Sequence, residues 1–158
     1  MNKIVNIFRI VTCISVSLYT ALACWLCGKT AYYACYRMVP VGDGAHDLAT
    51  VGITREAVPY IVVGVAVLLL GVASIVLLFR RGRLSACLSG GAAVACALLG
   101  MCIDTMLAET MLARYTLGIT DLEAGLCVKP VAAWLCILTA VVYTVLRLIE
   151  HSIRSKIK

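Results

Sequence analysis

The sequence predicts an all-α integral membrane protein, a bundle of four transmembrane helices, on three observations. Hydrophobic residues make up 63% of the 158-residue chain and charged residues only 14%, with a mean hydropathy of +1.01. Soluble domains carry about a quarter charged residues, and a chain of this length has too little interior to hide so much apolar surface. The apolar residues also collect in long uncharged blocks instead of recurring at a helix or strand period, and the charges sit between the blocks. Residues 1–158 are therefore expected to form a single membrane domain. Its expected spans are 10–27, 59–79, 84–103 and 130–146, with outer loops 28–58 and 104–129, a turn at 80–83 and a tail at 147–158.

The clearest span is 59–79, PYIVVGVAVLLLGVASIVLLF, which has no charge over 21 residues. As a helix it reaches ~31 Å, the thickness of the hydrocarbon layer. Residues 84–103 are less apolar but equally uncharged. Only Arg80-Arg81-Gly82-Arg83 separates the two runs, so they form a tight antiparallel hairpin. The run 130–146 is shorter and bounded by Lys129 and Arg147, whose long side chains are expected to snorkel to the interfaces. Residues 10–27 admit two readings. A basic start and Ala21-Leu22-Ala23 before Cys24 fit a cleaved or lipidated signal, whereas the apolar run continuing through Trp25, Leu26 and Cys27 fits a retained span. The retained span is the preferred reading.

Cytoplasmic segments retain Lys and Arg, which orients the chain. One end holds Lys3, Arg9, Arg80, Arg81, Arg83, Arg147, Arg154, Lys156 and Lys158. The other holds Lys29, Arg37, Arg55, Arg114 and Lys129 together with seven of the eight carboxylates. Both termini are thus expected in the cytosol, in a plasma or bacterial inner membrane. Trp25, Tyr32, Tyr33, Tyr36, Tyr60, Tyr115 and Trp134 fall near the outer boundary, where amphipathic rings favour the headgroup layer. The basic tail is positioned to rest on anionic lipid.

The two outer loops close on related phrases, Gly52-Ile53-Thr54-Arg55-Glu56-Ala57 and Gly118-Ile119-Thr120-Asp121-Leu122-Glu123-Ala124, each followed by a proline placed to open the next span. Thr120 to Glu123 fits a capping box. The repeat reads either as two tandem helical hairpins of common ancestry or as coincident capping chemistry. Small residues at helical spacing, Ser89, Ala93 and Ala97 with Gly100 beside them, and Gly64 and Gly71 in the preceding span, allow close backbone approach within one chain or between copies.

The most specific chemical feature is Cys24-Trp25-Leu26-Cys27, a CxxC at the outer end of the first span with Cys35 shortly after it, while Cys102 and Cys127 bracket the second loop. Paired thiols at this spacing exchange disulfides. The arrangement is similar to the quinone-linked membrane oxidoreductases of the DsbB type, with four helices, cytosolic ends and two outer cysteine pairs. That resemblance implies redox roles for Cys24, Cys27, Cys102 and Cys127 and a quinone cofactor. In that family the CxxC opens the second span, whereas here it closes the first. The other reading of these thiols is packing, since a buried cysteine behaves as a small hydrophobe.

Other chemistries have less to stand on. The four apolar runs contain no Asp, Glu, His, Lys or Arg of the kind that transporters and channels place at membrane depth. The only histidines, His46 near Asp43 and Asp47, and His151 in the tail, lack paired ligand spacing, so no metal is expected. The basic residues flank apolar blocks and do not form the single face that nucleic acid requires. The sequence thus points first to a non-enzymatic accessory or scaffold component that meets the lipid bilayer and other membrane proteins or itself. A DsbB-like thiol-disulfide oxidoreductase is the alternative, and a transporter or channel subunit the third.

Overall fold

The computed structural model describes residues 2–40, 46–50, 55, 57–80, 82–112 and 120–156, and for 2, 33, 36–40, 46–50, 103–112, 120–127 and 154–156 the backbone alone. Four helices dominate: α1 (Asn2–Ala34), α2 (Val58–Phe79), α3 (Arg83–Leu112) and α4 (Thr120–Lys156). All four contain stretches long and apolar enough to cross a membrane, at Lys3–Tyr32, Val58–Phe79, Arg83–Cys102 and Val128–Ile153. Between α1 and α2 the chain forms a two-stranded antiparallel hairpin, β1 (Tyr36–Pro40) and β2 (His46–Thr50), paired from Tyr36 opposite Thr50 to Pro40 opposite His46. Strand pairing of residues 36–40 with 46–50 was not foreseen by the span-by-span reading.

Sequence neighbours pack antiparallel around a square, and α4 closes it against α1. The ends of α2 follow from its local chemistry. Pro59 sits in the first turn, where its missing N–H is not needed, and Arg80 leaves the helix at φ −78°, ψ 139° with its N–H bonded to the Leu77 carbonyl. Ser85 then ties the hairpin turn, its hydroxyl lying 3.1 Å from the Arg80 carbonyl and 3.0 Å from that of Gly82.

Three helices run beyond their apolar blocks. α1 continues to Ala34, α3 to Leu112, and α4 begins at Thr120 and ends at Lys156. Apolar runs measure bilayer thickness, and polar helical turns outside it carry no such signature. Pro130 accordingly lies inside α4 and does not open it. Long helices tolerate an interior proline where neighbouring groups satisfy the freed carbonyl.

The interior is built from small and weakly polar side chains. Val16, Tyr19, Ala23, Val67, Ala93, Cys96, Ala97, Ala133, Cys136 and Ala140 form the central cluster. Most large aliphatics point outward, with Ile14, Leu18, Leu69, Leu88, Val131 and Leu138 all more than half exposed, while Leu26 and Leu78 are buried. This inverts the order of a soluble bundle.

Small interior residues bring backbones within reach of hydroxyls and thiols, and every packed seam carries such a bond. Thr12 reaches the Thr139 carbonyl at 3.0 Å between α1 and α4, and Tyr19 reaches that of Ala97 at 2.8 Å between α1 and α3. Ser74 and Ser89 donate to each other's carbonyls at 3.0 and 2.9 Å between α2 and α3. Thr144 bonds the Ala86 carbonyl at 3.4 Å between α4 and α3. Interhelical bonds of this kind contribute about 0.6 kcal/mol each.

Glycine contacts give a direct check. A Cβ at Gly71 would meet Thr20 Cβ at 3.0 Å, whereas a Cβ at Gly28 would meet nothing within 4 Å. Gly71→Ala is expected to destabilise the protein by about 1–3 kcal/mol through overpacking. Gly28→Ala should be neutral or stabilising by about 0.5–1 kcal/mol through helix propensity. Thermal unfolding of both variants in one detergent measures the contrast.

Candidate functional site

The CxxC lies within α1, one turn apart, and both sulfurs turn toward α2 at Gly64. Cys24 Sγ lies 3.6 Å from the Gly64 carbonyl as a donor. Cys27 is 3% exposed, and a Cβ built on Gly64 would meet its Cβ at 3.0 Å and its Sγ at 3.5 Å. Cys24, Cys27 and Cys35 are free thiols. Cys35 is half-buried beside the cluster of Ala31, Ala34, Ala57 and Tyr60. Cys102 is exposed on α3, and the side chain of Cys127 lies outside the described residues. Cys24 and Cys27 thus come together around Gly64, in a position where they fill a helix seam.

Other thiols are used in the same way. Cys96 donates to the Val67 carbonyl at 3.5 Å and lies 3.7 Å from the Thr20 hydroxyl, and Cys136 approaches the Ala93 carbonyl at 4.0 Å. A thiol that exchanges disulfides with a soluble partner needs access and stabilisation of its thiolate. Cys27, Cys96 and Cys136 are buried in the helix seams, which withholds that access.

Two charged residues on the inward stripe of α4 escaped sequence reading. Lys129 is 0% exposed and close enough to Cys27 to act on it electrostatically, so its ammonium does not snorkel outward. Glu150, at the other end, is 3% exposed and forms an ion pair with Arg147. The signal was the spacing: Lys129, Ala133, Cys136, Ala140 and Tyr143 recur at three- and four-residue steps, Glu150 follows two turns on, and all are buried. Tyr60, expected in an interfacial belt, is likewise buried, whereas Trp25, Tyr32 and Trp134 are exposed.

The packing residues separate by face. Gly71, Ser89, Ala93, Ala97 and Gly100 are buried in the bundle, with Gly100 against the Tyr19 ring, whose Cζ lies 2.8 Å from a Cβ placed there. Gly90 is also buried, against Thr144 of α4, whereas Gly91 faces open space beside a groove of about 420 Å³ between α3 and α4, walled by Val94, Ala95, Leu98 and Val141. Among the described residues no group of three His, Cys, Asp or Glu side chains converges as a metal site. His46 falls in β2 beside Asp47, Asp43 lies outside the described residues, and His151 is exposed on α4.

The burial pattern predicts an order of thiol reactivity. In detergent at neutral pH, a maleimide should label the exposed Cys87 well before Cys27, Cys96 and Cys136, which react only on unfolding. Peptide mapping of a labelling time course reads this out. Comparison with known protein families, curated proteins and solved structures finds no match, so the functional reading rests on this geometry.

Proposed function

We propose that this is a multi-pass membrane protein with both termini cytosolic, acting as a non-enzymatic scaffold or accessory component for other membrane proteins. The observation that carries the reading is the inverted packing. Most large aliphatics face outward, and the interior is closed mainly by small side chains whose polar atoms bond neighbouring backbones. Among the described residues every buried side-chain nitrogen and oxygen has a hydrogen-bond partner. Transport and catalysis draw on polar groups presented to a cavity, and here the polar groups are spent on the helix seams.

The contact surface we assign is the α3/α4 groove. It is apolar, and at Gly91 on its edge no side chain keeps a neighbouring helix away. The buried Ser89, Ala93 and Ala97 stripe, in contrast, serves packing within the chain. The two tandem hairpins that the repeated loop phrase suggests correspond to α1/α2 and α3/α4 in this arrangement.

Topology is tested with reporter fusions. Fusions at residues 45 and 116 should report the outer side, and those at 82 and 158 the cytosol. A photocrosslinker at Leu98 or Val141 in intact membranes should give a discrete protein adduct, and adducts to lipid alone would sink the scaffold reading. Mass-tag trapping addresses the thiols separately. Cys24 and Cys27 should remain reduced, and Cys24→Ser with Cys27→Ser should leave the cellular phenotype intact. A reversible disulfide whose loss abolishes the phenotype would establish thiol exchange instead.

A further inference from the structure

We propose a binding site for an anionic phospholipid at the α1/α2 seam, with Arg9 and Arg80 holding the headgroup phosphate and the exposed face of α2 receiving an acyl chain. The inference rests on the membrane orientation proposed above. Its starting point is a charge imbalance. The end of the bundle that carries Lys3, Arg9, Arg80, Arg81, Arg83, Arg147, Arg154, Lys156 and Lys158 has one carboxylate, Glu150. That carboxylate is buried and bound to Arg147. Arg147 is therefore paired within the chain, and nine basic residues against one carboxylate leave this end strongly positive.

The geometry localises two of those cations. Arg9 lies on α1 with its guanidinium carbon 5.7 Å from the centroid of the Phe79 ring. This cation–π contact fixes the guanidinium at the level where α2 ends. Arg80 follows Phe79 directly and is held in an extended conformation by its N–H bond to Leu77 and by the Ser85 hydroxyl on its carbonyl. One cation thus lies against the aromatic ring, and the other is the exposed residue that follows the ring directly in the chain. The ring itself is 63% exposed, so the arrangement lies on the outer surface of the bundle.

What continues from the ring distinguishes a lipid from free phosphate. Phe79, Val76, Val72 and Leu69 are all exposed and recur at three- and four-residue steps, forming one apolar track along α2 away from the two arginines. A phosphate at the arginines with a hydrocarbon chain on this track matches an amphipathic anion. Inorganic phosphate would use only the cationic half. Arginine favours phosphate because its planar fork donates two parallel hydrogen bonds.

The test reconstitutes the full chain in phosphatidylcholine vesicles with and without phosphatidylglycerol, and measures retained lipid by native mass spectrometry. Wild type should retain phosphatidylglycerol in preference to phosphatidylcholine. The Arg9→Gln/Arg80→Gln pair should lower that preference by about tenfold, on the scale of the attraction between single basic residues and anionic lipid. Lys3→Gln, exposed and outside the site, should leave it unchanged. Unchanged retention in the double variant, with thermal stability in phosphatidylcholine confirming its fold, would overturn the proposal. So would displacement of the lipid by millimolar inorganic phosphate. Failure of the chain to insert into either vesicle would count against the membrane reading itself, whereas insertion without lipid preference would count against this site alone.

Discussion

The distance between helix backbones is the constraint on which the rest of this structure depends. Hydroxyls and thiols are short, and they reach a carbonyl on the next helix only where alanine, glycine or serine lets the axes close. Tyr19 shows the dependence most clearly. Its hydroxyl bonds the Ala97 carbonyl across the α1/α3 diagonal, and the path exists because position 100 is glycine. The same rule turns the chain inside out relative to a soluble protein, since bulky aliphatics would hold the seams apart and are relegated to the periphery.

This economy also explains the cysteines. A thiol packs like a small apolar group yet still donates weakly, so Cys24, Cys96 and Cys136 occupy seams in the manner of Ser74 and Thr144. The CxxC spacing is then the repeat of one helix face lying over Gly64. A redox reading asks more of these atoms: an exit from the seam and a route for the thiolate to water.

Much of the fold was legible in the residues. Uncharged runs located four helices, and Arg80 to Arg83 forced the α2/α3 hairpin. The stripe from Ser89 to Gly100 marked a buried face, although the choice between contacts within the chain and contacts between copies needed coordinates. Hydropathy cannot register the outer turns of α1, α3 and α4, because helical backbone exposed to water has no apolar signature. Lys129 was read as a boundary marker when taken alone; its place on the inward stripe of α4 was visible only once that helix was known to begin at Thr120. The strand pairing of Tyr36–Pro40 with His46–Thr50 was missed because the segment was judged by its turn-forming residues.

The unequal helix lengths give the basic end a stepped shape. Val5 of α1 still packs against Leu78 and Ala86 beside the α2/α3 turn, so α1, which begins at Asn2, ends close to the level of that turn. Beside them, α4 continues from Arg147 to Lys156, a further ~13 Å. Val5 and Phe8 of α1, Leu78 of α2, Ala86 of α3 and Tyr143 and Leu146 of α4 pack together at the root of this extension. A macromolecule approaching this end would touch the tip of α4 first, and the ends of the other three helices would lie recessed behind it, sheltered from large bodies yet open to anything small enough to slide in from the side.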